Sequence, residues 1–230
     1  MFQLQDVSKR YAHQEGDVIA LRQTKLQISS GEFVAVVGPS GSGKTTLLSM
    51  LGGMLAPTSG QVWLDGQSVY DATATQRAHL RLRKIGFVFQ TFNLVPYLSA
   101  LENVQVPLML ARTWSAAHQR RVPQLLARVG LEGRMHHKPS ELSVGQQQRV
   151  ALARTLANDP TVILADEPTG NLDPQTREQV LDFLAELCSD GRTVIMVTHD
   201  PAAAERASRT IQLADGAVTS DSGIRAQRVA

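Results

Sequence analysis

The sequence predicts an α/β fold with a mainly parallel sheet, and three observations carry that prediction. First, three apolar, β-rich runs each end in a polar cluster: FVAVVG (Phe33 to Gly38), TVILADE (Thr161 to Glu167) and TVIMVTHD (Thr193 to Asp200). Continuous Val/Ile runs of that length suit strands buried on both faces, as in a parallel sheet under helices. Second, helical patterns alternate with these runs. Lys44 to Leu55 places Leu47, Leu48, Leu51 and Leu55 at helical spacing, and Pro174 to Cys188 opens with Asp173 at the N-cap and Pro174 at the first helical position. Third, 230 residues with a 43% hydrophobic fraction suffice for one large packed domain, or one domain with an insertion.

The remaining elements follow in chain order. Residues 2–7, 18–28 and 61–65 read as short strands broken by Gly-containing turns, which predicts a small antiparallel sheet near the N-terminus. From Thr91 to Leu142 the pattern turns helical. Ser99 with Glu102 forms one capping box, and Trp114 to Val129 is mostly helix-forming with Gly130 as its stop and Pro123 expected to break or start it. Ser143 with Gln146 forms a second box before an Ala-rich helix that Pro160 ends. The whole stretch, about residues 91–158, reads as a helical insertion into the α/β core. The tail after about Ser220 is small and polar and is expected to fray.

Bulk composition removes several function classes. A formal net charge of +2 with scattered basic residues argues against a nucleic-acid binder. The single cysteine, Cys188, cannot form an internal disulfide, fits a reducing compartment and reads as a small buried hydrophobe. The N-terminus MFQLQDVSKRY alternates like a strand, so no secretory signal is expected. No apolar run approaches the roughly 20 residues a membrane-spanning helix needs. A soluble chain that docks on something in a membrane remains open.

The chemistry concentrates at strand ends. Gly38, Pro39, Ser40, Gly41, Ser42, Gly43, Lys44 and Thr45 spell GPSGSGKT, a phosphate loop between an apolar strand and an amphipathic helix, with Thr46 directly after it. Glycines let successive N–H groups curl inward, the helix start adds its dipole, Lys44 supplies charge for β and γ phosphates, and the Thr45 hydroxyl suits Mg²⁺. Asp166 and Glu167 end a buried strand at the edge where open α/β sheets bind ligands. One carboxylate can hold Mg²⁺ while its neighbour orients or deprotonates a water. His199 ends another strand, where it either bonds a γ phosphate or is structural. Gln90, ending IGFVFQ, could contact the metal or the water, and Tyr11 either stacks on adenine or covers the small sheet. Gly145 costs helix stability in the first turn after Ser143 and bares N–H groups that suit an anion.

Together these pieces resemble the ATP-binding cassette ATPases of ABC transporters over nearly the whole chain. GPSGSGKT resembles the Walker A motif, Gln90 the Q-loop, LSVGQ the family signature LSGGQ, VILADE the Walker B motif with its catalytic Glu167, Asn171 to Asp173 the D-loop, and His199 the H-loop; Tyr11 falls at the aromatic A-loop position. The resemblance implies a phosphate-loop NTPase core, ATP and Mg²⁺ as cofactors, and Thr45, Gln90 and Asp166 as metal contacts. It implies a homodimer in which Ser143, Gly145 and Gln146 of one chain face the phosphate loop of its partner, so that ATP closes the dimer and hydrolysis opens it. It also implies a peripheral place on the cytoplasmic face of a bacterial inner membrane, with an integral membrane permease as partner.

ADEPTGNLD and FQTFNLVPYLSALENVQVPL are similar to the ATPases of lipoprotein-release, macrolide-export and glycolipid-export systems, whose permeases work with periplasmic partners. That similarity implies export or extraction of an amphipathic substrate. The alternative is a cell-division type of module that pulls on a membrane partner without transport. The FNLVP to ALENV segment either docks a permease coupling helix or packs internally. Val144 stands where the family usually has Gly, and its branched side chain is expected to tolerate closure while weakening or slowing it.

Overall fold

Alternating burial builds the first strands of the computed structural model, which describes residues 1–12, 16–112, 115–170 and 172–223. β1 (Phe2–Tyr11) buries Phe2, Leu4 and Val7; the alternation slips after Leu4 because Asp6 takes a left-handed φ of 52° and the register shifts there. β2 (Val18–Ile28) pairs antiparallel with it. β3 (Phe33–Val37) leads through the phosphate loop into α1 (Lys44–Leu51), and β4 (Ser59–Leu64) with the two-residue β5 (Gln67–Ser68) completes an antiparallel sheet ordered β2-β1-β4-β5. The helix expected to reach Leu55 stops at Leu51. A Cβ on Gly52 would lie 2.6 Å from the Phe87 ring, and Gly53 turns left-handed at φ 64°, so the chain passes close under a neighbouring strand there.

α2 (Ala74–Lys84), opened by a Thr73–Gln76 capping box, was not predicted: it buries no residue and so lacks an apolar stripe. It delivers the chain to β6 (Ile85–Phe89). Three helices then come before the next strand. α3 (Ala100–Leu110) carries the expected Ser99–Glu102 box with both bonds made. α4 (Ala116–Arg128) contains Pro123 without breaking, contrary to expectation, because Val122, Leu125 and Leu126 are buried around it and proline's φ is itself helical. Trp114, its expected start, lies outside the described residues, whereas Gly130 ends the helix as expected at φ 71°. α5 (Val144–Thr155) opens on the Ser143–Gln146 box.

β7 (Val162–Asp166), α6 (Pro174–Ser189), β8 (Thr193–Val197) and the short α7 (Pro201–Glu205) restore the strand-helix alternation. β9 (Arg209–Ala214) and β10 (Ala217–Asp221), joined at Asp215 and Gly216 with φ of 48° and 74°, form a hairpin that the sequence did not predict, ending one residue past Ser220, where the polar tail was expected to begin. The expected fraying is therefore corrected as far as Asp221; residues 224–230 lie outside the described residues. The six-stranded sheet runs β10-β9-β3-β8-β7-β6, parallel except for the edge hairpin.

Both faces of that sheet are covered, which explains the unbroken apolar runs. Phe33, Ala35, Ile163, Ala165, Val194 and Met196 pack among the helices from α3 to α6. Their neighbours Val34, Val36, Val162, Leu164, Ile195 and Val197 pack on the other side with α1 and the antiparallel sheet. Cys188 is buried, its thiol donates to the Gly31 carbonyl, and burial pushes its pKa up.

Candidate functional site

The phosphate loop sits where two glycines are sterically compulsory. A Cβ on Gly38 would lie 2.1 Å from the Leu213 carbonyl, and one on Gly43 would lie 2.2 Å from the Ala20 carbonyl. Both also have positive φ, 153° and 100°. Pro39, Ser40 and Gly41 arch outward between them, while Ser42 and Lys44 are buried and Thr46 is half-buried behind the loop. Lys44 Nζ donates to the carbonyls of Gly38 (2.8 Å) and Pro39 (2.9 Å). Among the described residues no side chain caps α1, so its first N–H groups lack that satisfaction, and the buried Ser42 hydroxyl has no partner. These groups fit an anion of phosphate type: uncapped donors, an orphaned hydroxyl and a lysine held only by neutral carbonyls.

The sheet brings four of the expected residues alongside. Thr45 Oγ1 donates to Asp166 Oδ1 at 3.2 Å, joining the start of α1 to the end of β7. Burial raises the Asp166 pKa; the Thr45 hydrogen bond and the nearby Lys44 charge oppose the rise, and the Glu167 charge adds to it. Glu167 takes a left-handed φ of 46°, strained for a non-glycine residue, and is held there by its N–H donating to Val197 O at 3.0 Å. His199 Nδ1 lies 2.9 Å from Glu167 Oε1. β6 beside β7 carries Gln90 to the same edge, where its amide covers the bare face of Gly170: a Cβ there would be 2.9 Å from Gln90 Nε2.

The hard oxygens of Thr45 and Asp166, side by side with few other protein ligands, suit Mg²⁺. Among the described residues no group of three or more His, Cys, Asp and Glu side chains gathers in the manner of a metal cage. Tyr11 ends β1 with 42% of its surface exposed, and Lys9 Nζ lies over its ring, 5.0 Å from the centroid.

Ser143, Gly145 and Gln146 stand apart. Ser143 Oγ accepts from Gln146 N at 3.2 Å and Gln146 Oε1 accepts from Ser143 N at 3.0 Å, both bonds of the box. Among the described residues no hydrogen bond or ion pair links these three to the phosphate loop. Gly145 has a reason that bare N–H groups did not supply: a Cβ would meet Thr176 Cγ2 at 2.9 Å, so it lets α5 approach the start of α6. Asp173 caps that helix through Thr176 N and Oγ1, hydrogen bonds that hold its carboxyl below the usual range. Asn171 lies outside the described residues.

Three residues escaped sequence reasoning. Asn103, fully buried, bonds Val95, Leu98 and Ser99 and so shapes the segment before α3. Arg154, whose burial lowers its pKa, donates at 2.6 Å to the carbonyls of both Phe92 and Asn93, which are left-handed at φ 54° and 50°. Gln148, also fully buried, donates to Pro168 O at 2.8 Å. Each is a polar residue inside a helix, where nothing local separates a buried contact from a solvated face.

The family model described as ABC transporter matches residues 21–170. A macrolide export ATP-binding/permease protein MacB from Syntrophobacter fumaroxidans is 50% identical over 226 residues, 97% of this chain and 32% of that protein; the Escherichia coli MacB is 46% identical over 97% of this chain and 34% of its own length. The chain thus spans about a third of these relatives. An uncharacterised ABC transporter ATP-binding protein of Thermotoga maritima is 46% identical, covering 95% of this chain and 93% of that protein. Among solved structures, a dimeric post-hydrolysis state of the ATP-binding cassette MJ0796 bound to ADP and Pi is 44% identical with a TM-score of 0.91, covering 99% of this chain and 100% of that one.

Proposed function

The chain belongs to the ABC transporter family as an ATP-binding, ATP-hydrolysing cassette, and from that premise we propose that it powers export or extraction of an amphipathic substrate through a membrane permease. Residues 1–230 act as one cassette, with about 91–158 as its helical part. Lys44 and the loop from Gly38 to Thr46 hold the phosphates of ATP, and the exposed Tyr11 stacks on the base. Thr45, Asp166 and Gln90 would hold Mg²⁺, which when bound would neutralise phosphate charge. Glu167 takes a proton from water, and His199 fixes its carboxylate through the Nδ1 contact.

The carrying observation is the convergence of the Thr45–Asp166 and Glu167–His199 contacts at one sheet edge beside Lys44. The separation of Ser143, Gly145 and Gln146 from that edge supports a sandwich of two copies, in which the start of α5 completes the partner's phosphate site. Val144, at the first turn and 51% exposed, then belongs to the closing surface and weakens or slows closure.

Exposed Val95 and Tyr97, at 38% and 83%, within the FNLVP to ALENV segment (residues 92–104) support permease docking there. Among the described residues no helix is long and apolar enough to cross a membrane. A peripheral place on the inner face of a bacterial inner membrane and a periplasmic adaptor reached through the permease complete the reading. Glu167→Gln should cut ATP turnover by about 100-fold or more while preserving ATP-induced dimerisation in size-exclusion chromatography. Undiminished hydrolysis removes Glu167 from the mechanism.

A further inference from the structure

We infer that Gln148 is a positioning residue for Glu167, linking the two ATP half-sites carried by one chain. The inference rests on the sandwich reading above. Gln148 has no exposed surface, yet among the described residues its side chain makes a single hydrogen bond, Nε2 to Pro168 O at 2.8 Å, and leaves Oε1 buried without a partner. As a stabilising device this is poor, because one orphaned buried acceptor costs at least what one hydrogen bond returns. What the bond does accomplish is geometric.

Pro168 directly follows Glu167, whose left-handed φ of 46° persists only while its neighbours hold it. The N–H of Glu167 is fixed by Val197 O on β8, and Gly170 N donates back to Glu167 O at 3.2 Å. Gln148 holds the peptide on the other side. The carboxylate that His199 contacts therefore hangs on a turn anchored at one end to the sheet and at the other to α5.

Gln148 lies five residues past the N-cap Ser143, or about 7–8 Å along the helix axis. A helix is stiff over that length. Any displacement of the start of α5 is transmitted to Pro168 and hence to the backbone angles of Glu167. In the sandwich, the start of α5 serves the nucleotide on the partner's phosphate loop, whereas Glu167 serves the nucleotide on its own. Closure at one site thus sets the general base of the other, which appears in kinetics as cooperativity in ATP.

The test compares wild type, Gln148→Met, which keeps volume and removes the donor, and Gln148→Asn, which keeps the amide on a shorter arm. ATP turnover by the purified full chain is measured across ATP concentration, with thermal unfolding of each variant. The expected result is a Hill coefficient above 1 in wild type that falls to about 1 in both variants, with kcat down on the order of tenfold, and with KM and the folded fraction preserved.

A variant that retains wild-type kcat and Hill coefficient overturns the inference. So does a kcat loss that merely tracks the folded fraction, or a non-cooperative wild type. A wild type that neither hydrolyses ATP nor dimerises with it overturns the sandwich reading as well, and that outcome is distinct because it precedes any variant.

Discussion

Asp166 sits where burial works against its own charge. Its folded pKa is raised chiefly by desolvation, with Glu167 adding to the rise and Thr45 and Lys44 opposing it. A carboxyl with a raised folded pKa binds more protons folded than unfolded, so stability falls as pH climbs from the ordinary carboxylate value through the folded one. At neutral pH the unliganded chain therefore bears a cost that a bound cation would remove. Asp166→Asn should stabilise the nucleotide-free protein at pH 7.5 by about 0.5–1 kcal/mol after solvent screening. In a chain of this length that is about 1–4 °C in Tm. The gain should shrink as pH falls below the folded pKa and be gone below the ordinary carboxylate value, while Mg²⁺-dependent hydrolysis is lost at every pH. A Tm that drops on substitution at neutral pH would mean that the Thr45 hydrogen bond outweighs the desolvation.

The first turn of α5 shows how an element can serve packing and chemistry with the same residue. Gly145 gives up about 1 kcal/mol of helix propensity relative to Ala. The structure places Thr176 where a Cβ would go, 2.9 Å from Cγ2 and 3.0 Å from Oγ1. Gly145→Ala should therefore destabilise the chain by about 1–2 kcal/mol despite the better propensity, through overpacking against α6. Combined with Thr176→Ala, which opens that space, it should cost less than the two single changes added together, and urea denaturation of the double-mutant cycle measures the difference. Additive effects would place the cost elsewhere.

Elements whose ends are set by local bonds were legible in sequence: the boxes at Ser99 and Ser143, the Asp173 cap, the Gly130 stop. Those decided by tertiary contact were not. α4 runs through Pro123 because its neighbours are buried, and α2 offers no apolar stripe to read.

At the scale of the molecule, the same division holds. The phosphate loop, Asp166, Glu167 and His199 could be placed from sequence because each follows directly on a buried apolar run, and a parallel sheet puts such ends on one edge. The strand order and the β9–β10 hairpin could not be read, since they depend on pairing across long sequence separations. That hairpin is tied to the antiparallel sheet by Arg209. Its guanidinium bonds both Asp221 oxygens at 2.9 and 2.7 Å, Glu32 Oε2 at 2.8 Å and the Gln27 carbonyl of β2 at 2.9 Å. The Arg209 and Glu32 side chains expose only 11% and 6%, so this is a buried ion pair. Removing one partner leaves the other charged without compensation, and Ser29 N is the remaining bond to Glu32. Arg209→Met should cost about 3–5 kcal/mol in urea unfolding. Adding Glu32→Gln should recover a large part of that loss, because it removes the stranded charge while keeping an acceptor for Ser29. If Arg209→Met costs under about 1 kcal/mol, the hairpin is held to the antiparallel sheet chiefly by apolar contact and by Arg22 of β2, whose backbone N–H and Nε donate to the Gly216 and Asp215 carbonyls at 2.7 and 3.0 Å.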